Sequence, residues 1–113
     1  MNEIATAEEL EACLEASAEG PRFIFKHSTR CPISAGAFGR VRDYLDRAPE
    51  TDPPMYLLKV VESRAASNAV AEALGVPHES PQLLLVDKGE CVWATSHHTI
   101  TAESIAAAIG RAA

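Results

Sequence analysis

The 113 residues predict an α/β fold, a four-stranded mixed sheet flanked by helices on both faces. Three observations carry this. Two apolar stretches, Phe23 to Phe25 and Met55 to Val61, are separated by a segment of helical periodicity, the pattern of a strand–helix–strand unit. Gln82 to Asp87 and Cys91 to Ser96 meet at Asp87-Lys88-Gly89-Glu90, a hairpin signature. Further amphipathic helices precede, interrupt and follow these strands.

Taken in order, Thr6 followed by Glu9 has the spacing of a capping box, and Leu10, Cys13 and Leu14 then share one face of a helix from about Ala7 to Ala18. Gly20 and Pro21 end it. Phe23, Ile24 and Phe25 form a strand buried on both sides. Lys26 to Arg30 turns polar, and Pro32 stands where the first helical residue tolerates proline. Phe38, Val41 and Leu45 stripe that second helix, although Gly36 and Gly39 weaken its propensity by up to ~1 kcal/mol each. Pro49 to Pro54 is a loop before the second strand. Ser63 is placed to cap a third helix carrying Ala66, Val70, Ala73 and Leu74, with Gly75 at its C-terminal cap. Thr101 caps a last helix with Ile105, Ala108 and Ile109 on one side.

The right-handed crossover rule makes the first two strands parallel neighbours, and the hairpin adds two antiparallel ones, giving the strand order 2-1-3-4. This is the plan of the thioredoxin fold, in one domain spanning residues 1–113. A net charge of −6 argues against nucleic acid and against an anionic membrane surface as partners. No apolar run approaches the roughly 18 residues a membrane span requires, and the acidic start has no signal-peptide pattern, so a cytoplasmic protein is expected. Three widely spaced cysteines suit neither a disulfide framework nor a zinc site.

The chemistry concentrates in Lys26-His27-Ser28-Thr29-Arg30-Cys31-Pro32-Ile33-Ser34. Cys31 falls where a buried parallel strand gives way to a helix, the end at which open sheets bind ligands. A helix N-terminus offers unpaired N–H groups and about half a positive charge, which favour a thiolate. Arg30 adds to that field. A thiol at its reference pKa of about 8.5 is only ~3% ionised at pH 7, and a pKa of about 6 would ionise roughly 90% of it. Three residues on stands Ser34, not a second cysteine, so Cys31 cannot close a disulfide within the motif. The chemistry expected is monothiol: Cys31 attacks a mixed disulfide, keeps the small thiol and releases the protein, and another thiol clears it. Ser34 either donates to the thiolate or only supports the first helical turn. Pro32 and Ile33 border the substrate. Ser80-Pro81, ahead of the third strand, occupies the place of the cis-proline loop in thioredoxin-like proteins, where the Ser80 backbone can pair with an extended substrate and His78 and Glu79 border the cleft.

Cys31-Pro32-Ile33-Ser34 after Lys26-His27-Ser28 resembles the monothiol bacilliredoxin (YtxJ-like) family. So do Glu62-Ser63-Arg64, Ser67-Asn68, Gly75-Val76, His78 to Gln82, Val92-Trp93, Ser96-His97 and Ile100-Thr101, in one register along nearly the whole chain. His98 and Cys91 depart from the pattern. The resemblance implies a thioredoxin-like fold, Cys31 as attacking thiol, no bound cofactor or metal, and S-thiolated cytosolic proteins as partners, with a low-molecular-weight thiol, bacillithiol, as cosubstrate.

The other candidates read more plainly. Cys13 belongs to a helix core, Cys91 lies away from Cys31, and Trp93 packs in the core or at an edge. His27 tunes Cys31 or is a hydrogen-bonded structural residue. His97 and His98 sit in the last loop, and Arg40, Arg42, Asp43, Asp46 and Arg47 form a solvated helix face with local ion pairs. Two rival functions fit the same motif: an iron–sulfur cluster shared between subunits through Cys31, and a thioredoxin-like adaptor without turnover.

Overall fold

A computed structural model describes residues 1–112. Its sheet has five strands: β1 (Asn2–Glu3), β2 (Arg22–His27), β3 (Met55–Lys59), β4 (Gln82–Asp87) and β5 (Glu90–Ser96). They lie in the order β1-β3-β2-β4-β5. The four strands expected from sequence stand in the expected order, and β1 is one more than expected. It is two exposed polar residues with no apolar pattern, paired parallel to β3 through Asn2↔Tyr56 and Glu3↔Leu57. What fixes it is the next residue: Ile4 is 1% exposed in the core and donates its N–H to Leu57 O at 2.8 Å.

Four helices cover the faces: α1 (Ala7–Ala16), α2 (Pro32–Arg47), α3 (Arg64–Leu74) and α4 (Ala102–Ala112). Strand residues alternate between two cores. Ile24, Leu84 and Val86 join Leu10, Cys13, Ala66 and Val70 beneath α1 and α3. Phe23, Phe25, Leu83 and Leu85 join Ala37, Val41, Ile105 and Ala108 beneath α2 and α4. Helices on both faces are why Phe23-Ile24-Phe25 runs unbroken. Trp93 packs edge-on against Phe23, ring centroids 6.5 Å apart, as a core residue.

Local signals set most element ends. Glu9 N donates to Thr6 Oγ1 and Thr6 N to Glu9 Oε1, both at 3.1 Å, completing the capping box. Gly75 ends α3 at φ 65°, and Lys88 and Gly89 turn the hairpin at φ 52° and 78°. Ser104 N donates to Thr101 Oγ1 at 3.1 Å at the start of α4. Three expectations need correction. Helix α1 stops at Ala16: Ser17 caps it with helical backbone and its N–H on Cys13 O, while its carbonyl accepts from Lys88 N and its Oγ from Gly89 N, at 3.0 and 2.8 Å. Ser63 holds the N-cap position of α3, yet its side chain makes no capping bond. Arg40 is not a solvated residue; it donates to Ile100 O at 2.6 Å and His97 O at 3.2 Å, tying α2 to the last loop. Among the described residues, no helix is long and apolar enough to cross a membrane.

Candidate active site

The strand β2 runs further than its apolar run, so Lys26 and His27 are strand residues, 0% and 8% exposed, and not a polar turn. Ladder pairing carries them inside, His27 opposite Lys59 of β3 and Lys26 opposite Gln82 of β4. The chain leaves the sheet at Ser28, and Cys31 is the N-cap of α2 with extended backbone, φ −108° and ψ 123°.

Cys31 is half-buried and its side chain makes no capping hydrogen bond. Proline at the first helical position brings no N–H, and Ala35 N is spent on Cys31 O at 2.9 Å. The Ile33 and Ser34 N–H groups of the first turn therefore have no carbonyl of the helix to bond, and they lie beside the sulfur's residue. Pro32 and Ile33 are exposed, Ile33 at 43%, and give the thiol an apolar border.

Ser34 is fully buried, one helical turn beyond Cys31. Its Oγ lies 2.7 Å from His27 Nδ1 and accepts from Ser28 N at 2.9 Å. The hydroxyl thus braces the loop between β2 and α2 from within, a role the motif alone does not disclose. His27 is held in plane by Phe25, stacked at 5.7 Å, and by Phe38 at 4.8 Å. Burial holds its imidazole below the usual histidine range, against the opposing pull of Glu62. Arg30 is exposed beside Cys31, and its N–H reaches Ser28 Oγ at 3.4 Å.

On the far side of the loop, Thr29 Oγ1 donates to Glu62 Oε2 at 2.9 Å, and this bond holds the exposed carboxyl below its usual value. In the sequence Glu62 belongs only to the Glu62-Ser63-Arg64 stretch of the family resemblance; its partner lies on a different loop, and no local spacing announces the pair.

The Ser80-Pro81 bond is cis. The antiparallel ladder of β2 and β4 ends at Lys26 opposite Gln82, so Pro81 directly precedes β4 at the end of the sheet where β2 runs on to His27 and the Cys31 loop. Pro81 O accepts from His97 N at 3.0 Å. His78, largely exposed on this loop, has Nδ1 3.5 Å from Ser67 Oγ, and partial shielding of the ring from water lowers its pKa, with Lys26 and Arg64 adding to the effect. A cavity of about 370 Å³ adjoins the loop, lined by Pro77, Glu79, Gln82, Thr95 and Ser96 among others. Gln82 Nε2 donates to Pro77 O at 3.1 Å and fixes the base of the loop.

The other two cysteines sit on the opposite face of the sheet from Phe25 and Ala37. Cys13 is 2% exposed and burial pushes its thiol up to about 11. Cys91 packs against the same core, donates to Trp93 O at 3.3 Å and is likewise raised by burial.

A family model described as monothiol bacilliredoxin BrxC matches residues 2–105. A solved structure described as a proposed oxidoreductase with a thioredoxin fold superposes with a TM-score of 0.80 at 33% identity, over 95% of this chain and 91% of that one. Thioredoxin of Fasciola hepatica superposes at 0.76 with 18% identity over the whole of both chains. Reduced thioredoxin of Schistosoma mansoni does so at 0.75 with 13% identity, over 98% of this chain and 96% of that one.

Proposed function

The chain belongs to the monothiol bacilliredoxin family and is a thiol–disulfide oxidoreductase of thioredoxin-like fold, and from that premise we propose that it reduces mixed disulfides between protein cysteines and a low-molecular-weight thiol, bacillithiol. The observation that carries this reading is the half-buried, uncapped Cys31 at a helix N-terminus with a buried, hydrogen-bonded Ser34 in the resolving position.

The Cys31 thiolate attacks the small-thiol sulfur of the mixed disulfide. A bond forms between Cys31 Sγ and the small thiol, the old S–S bond breaks, and the protein sulfur leaves as a thiolate that takes a proton from solvent. The helix terminus stabilises the attacking anion through the free Ile33 and Ser34 N–H groups. Arg30 adds positive charge beside it. Pro32 and Ile33 on one side, and the Ser80-Pro81 backbone with His78 on the other, receive the extended segment around the target cysteine. Since no second thiol stands within the motif, a further small thiol attacks the Cys31 disulfide, releasing the symmetric small-thiol disulfide and regenerating Cys31.

The test uses a protein S-thiolated with bacillithiol, followed by intact mass. Wild type should remove the small thiol and gain its mass at Cys31, and Cys31→Ser should do neither. Full activity in Cys31→Ala would sink the proposal.

A further inference from the structure

His27, Ser34 and Ser28 form a connected group whose protons can be assigned. An amide N–H can only donate, so Ser28 N donates to Ser34 Oγ across 2.9 Å. The remaining contact, 2.7 Å between Ser34 Oγ and His27 Nδ1, runs one way or the other. His27 is 8% exposed between two aromatic rings. Burial, the largest influence, is joined by Lys59 on β3 in opposing its protonation; together they outweigh Glu62 beyond β3 and a backbone hydrogen bond of Ser34, which favour it, and the ring stays neutral. A neutral imidazole carries one N–H. Were that N–H on Nδ1, the buried Ser34 hydroxyl would accept twice and its own proton would have no acceptor among the hydrogen bonds of the described residues. With the proton on Nε2, the chain Ser28 N–H to Ser34 O–H to His27 Nδ1 is complete and every donor points the same way.

We infer that His27 is a positioning residue for Cys31: by taking the single proton of the Ser34 hydroxyl, it withholds that hydroxyl from the thiolate one helical turn away and leaves the thiolate to the helix terminus and Arg30. The inference rests on Cys31 being the attacking thiol. Its chemical sense lies in the balance between ionisation and reactivity. Each added hydrogen bond to a thiolate raises its population and lowers its nucleophilicity, and it makes the same sulfur a better leaving group when Cys31 carries the small thiol. A serine free to turn toward Cys31 would push that balance to the unreactive side.

The test is the pH dependence of Cys31 alkylation by iodoacetamide, with the modified residue identified by peptide mass. His27→Phe keeps an aromatic ring and removes the acceptor; it should lower the midpoint by about one pH unit and the plateau rate about threefold, following the slope of thiolate reactivity against basicity. His27→Phe combined with Ser34→Ala should return both to the wild-type values, and His27→Asn, which can still accept the serine proton, should stay close to them. Ser34→Ala alone should leave the midpoint in place. A midpoint raised by Ser34→Ala would show that the hydroxyl already serves the thiolate and would overturn the inference, as would an unchanged midpoint in a folded His27→Phe. If that variant does not fold, long-range 15N–1H correlation on wild type decides: an Nε2–H tautomer at pH 7 is expected, and an Nδ1–H tautomer or an imidazolium overturns it. None of these readouts uses a mixed-disulfide substrate, so their failure is distinct from failure of the proposed function.

Discussion

Lys26 is fully buried, and its ammonium donates to a single carbonyl, Ser67 O, at 3.4 Å. Burial lowers its pKa from the ordinary 10.5 to about 8. Between those two values the folded protein binds fewer protons than the unfolded chain, so this group's contribution to stability rises with pH across that window, and its cost is present in full below about 8. Lys26→Met, similar in shape and uncharged, should therefore raise stability at pH 7 by about 1–3 kcal/mol, with the gain shrinking toward pH 10. Urea unfolding of both proteins at the two pH values checks this, and the Cys13 and Cys91 thiols, raised by burial, titrate alike in both and cancel in the difference. A variant less stable at pH 7 would show instead that the ammonium is a net support. At this scale the position of Cys31, at the start of α2 after β2, was legible in the sequence because a strand-to-helix junction and a following proline are local signals. The direction of the Ser34 hydroxyl was not, since it depends on a histidine whose plane is set by Phe25 on β2 and Phe38 on α2.

Elements hold each other at their ends. Ser17 hydrogen-bonds the C-terminal turn of α1 to the β4–β5 hairpin: it is 0% exposed, accepts from both turn residues and donates from Oγ to Leu14 O. Ser17→Ala should cost about 1–3 kcal/mol by leaving the Gly89 N–H unpaired, and amide exchange at Gly89 should speed up while that of the β2 amides follows only the global loss. Unchanged Gly89 exchange would mean that the turn is held by its own backbone. Both the helix and the hairpin were legible, from the Thr6–Glu9 cap and from Lys88-Gly89; their junction was not, because Ser17 lies far from the turn in sequence. Arg40 makes the same point at the other end of the molecule: its spacing put it on a wet face, and two carbonyls of the last loop draw it in.

The whole molecule is one sheet with a core on each side. Along β2 and β4, residues that anchor one core alternate with residues that anchor the other, so the two should melt together. Ile4→Ala, in the core beneath α1 and α3, should destabilise the protein by about 2–5 kcal/mol. It should shift the unfolding transition of Trp93 fluorescence, which reports the opposite core, together with far-ultraviolet circular dichroism. Separate transitions would show that the cores unfold independently. The sheet order was readable because crossover handedness and hairpin geometry leave few alternatives. Strand β1 was not, since two polar residues become a strand only when a partner is already present.

That partner arrives late. Asn2 pairs with Tyr56 and Glu3 with Leu57, while the central Phe23-Ile24-Phe25 segment meets its second neighbour only at Leu83 to Leu85. A ribosome adding about 5–20 residues per second leaves Ile4 without its strand for roughly 3–10 s, and the three-residue apolar run of β2 half-covered for a similar time. The most hydrophobic stretch near the start of the chain is thus the one that waits longest for its sheet, and nascent chains, more than finished molecules, are where this protein is most exposed to aggregation and to chaperones.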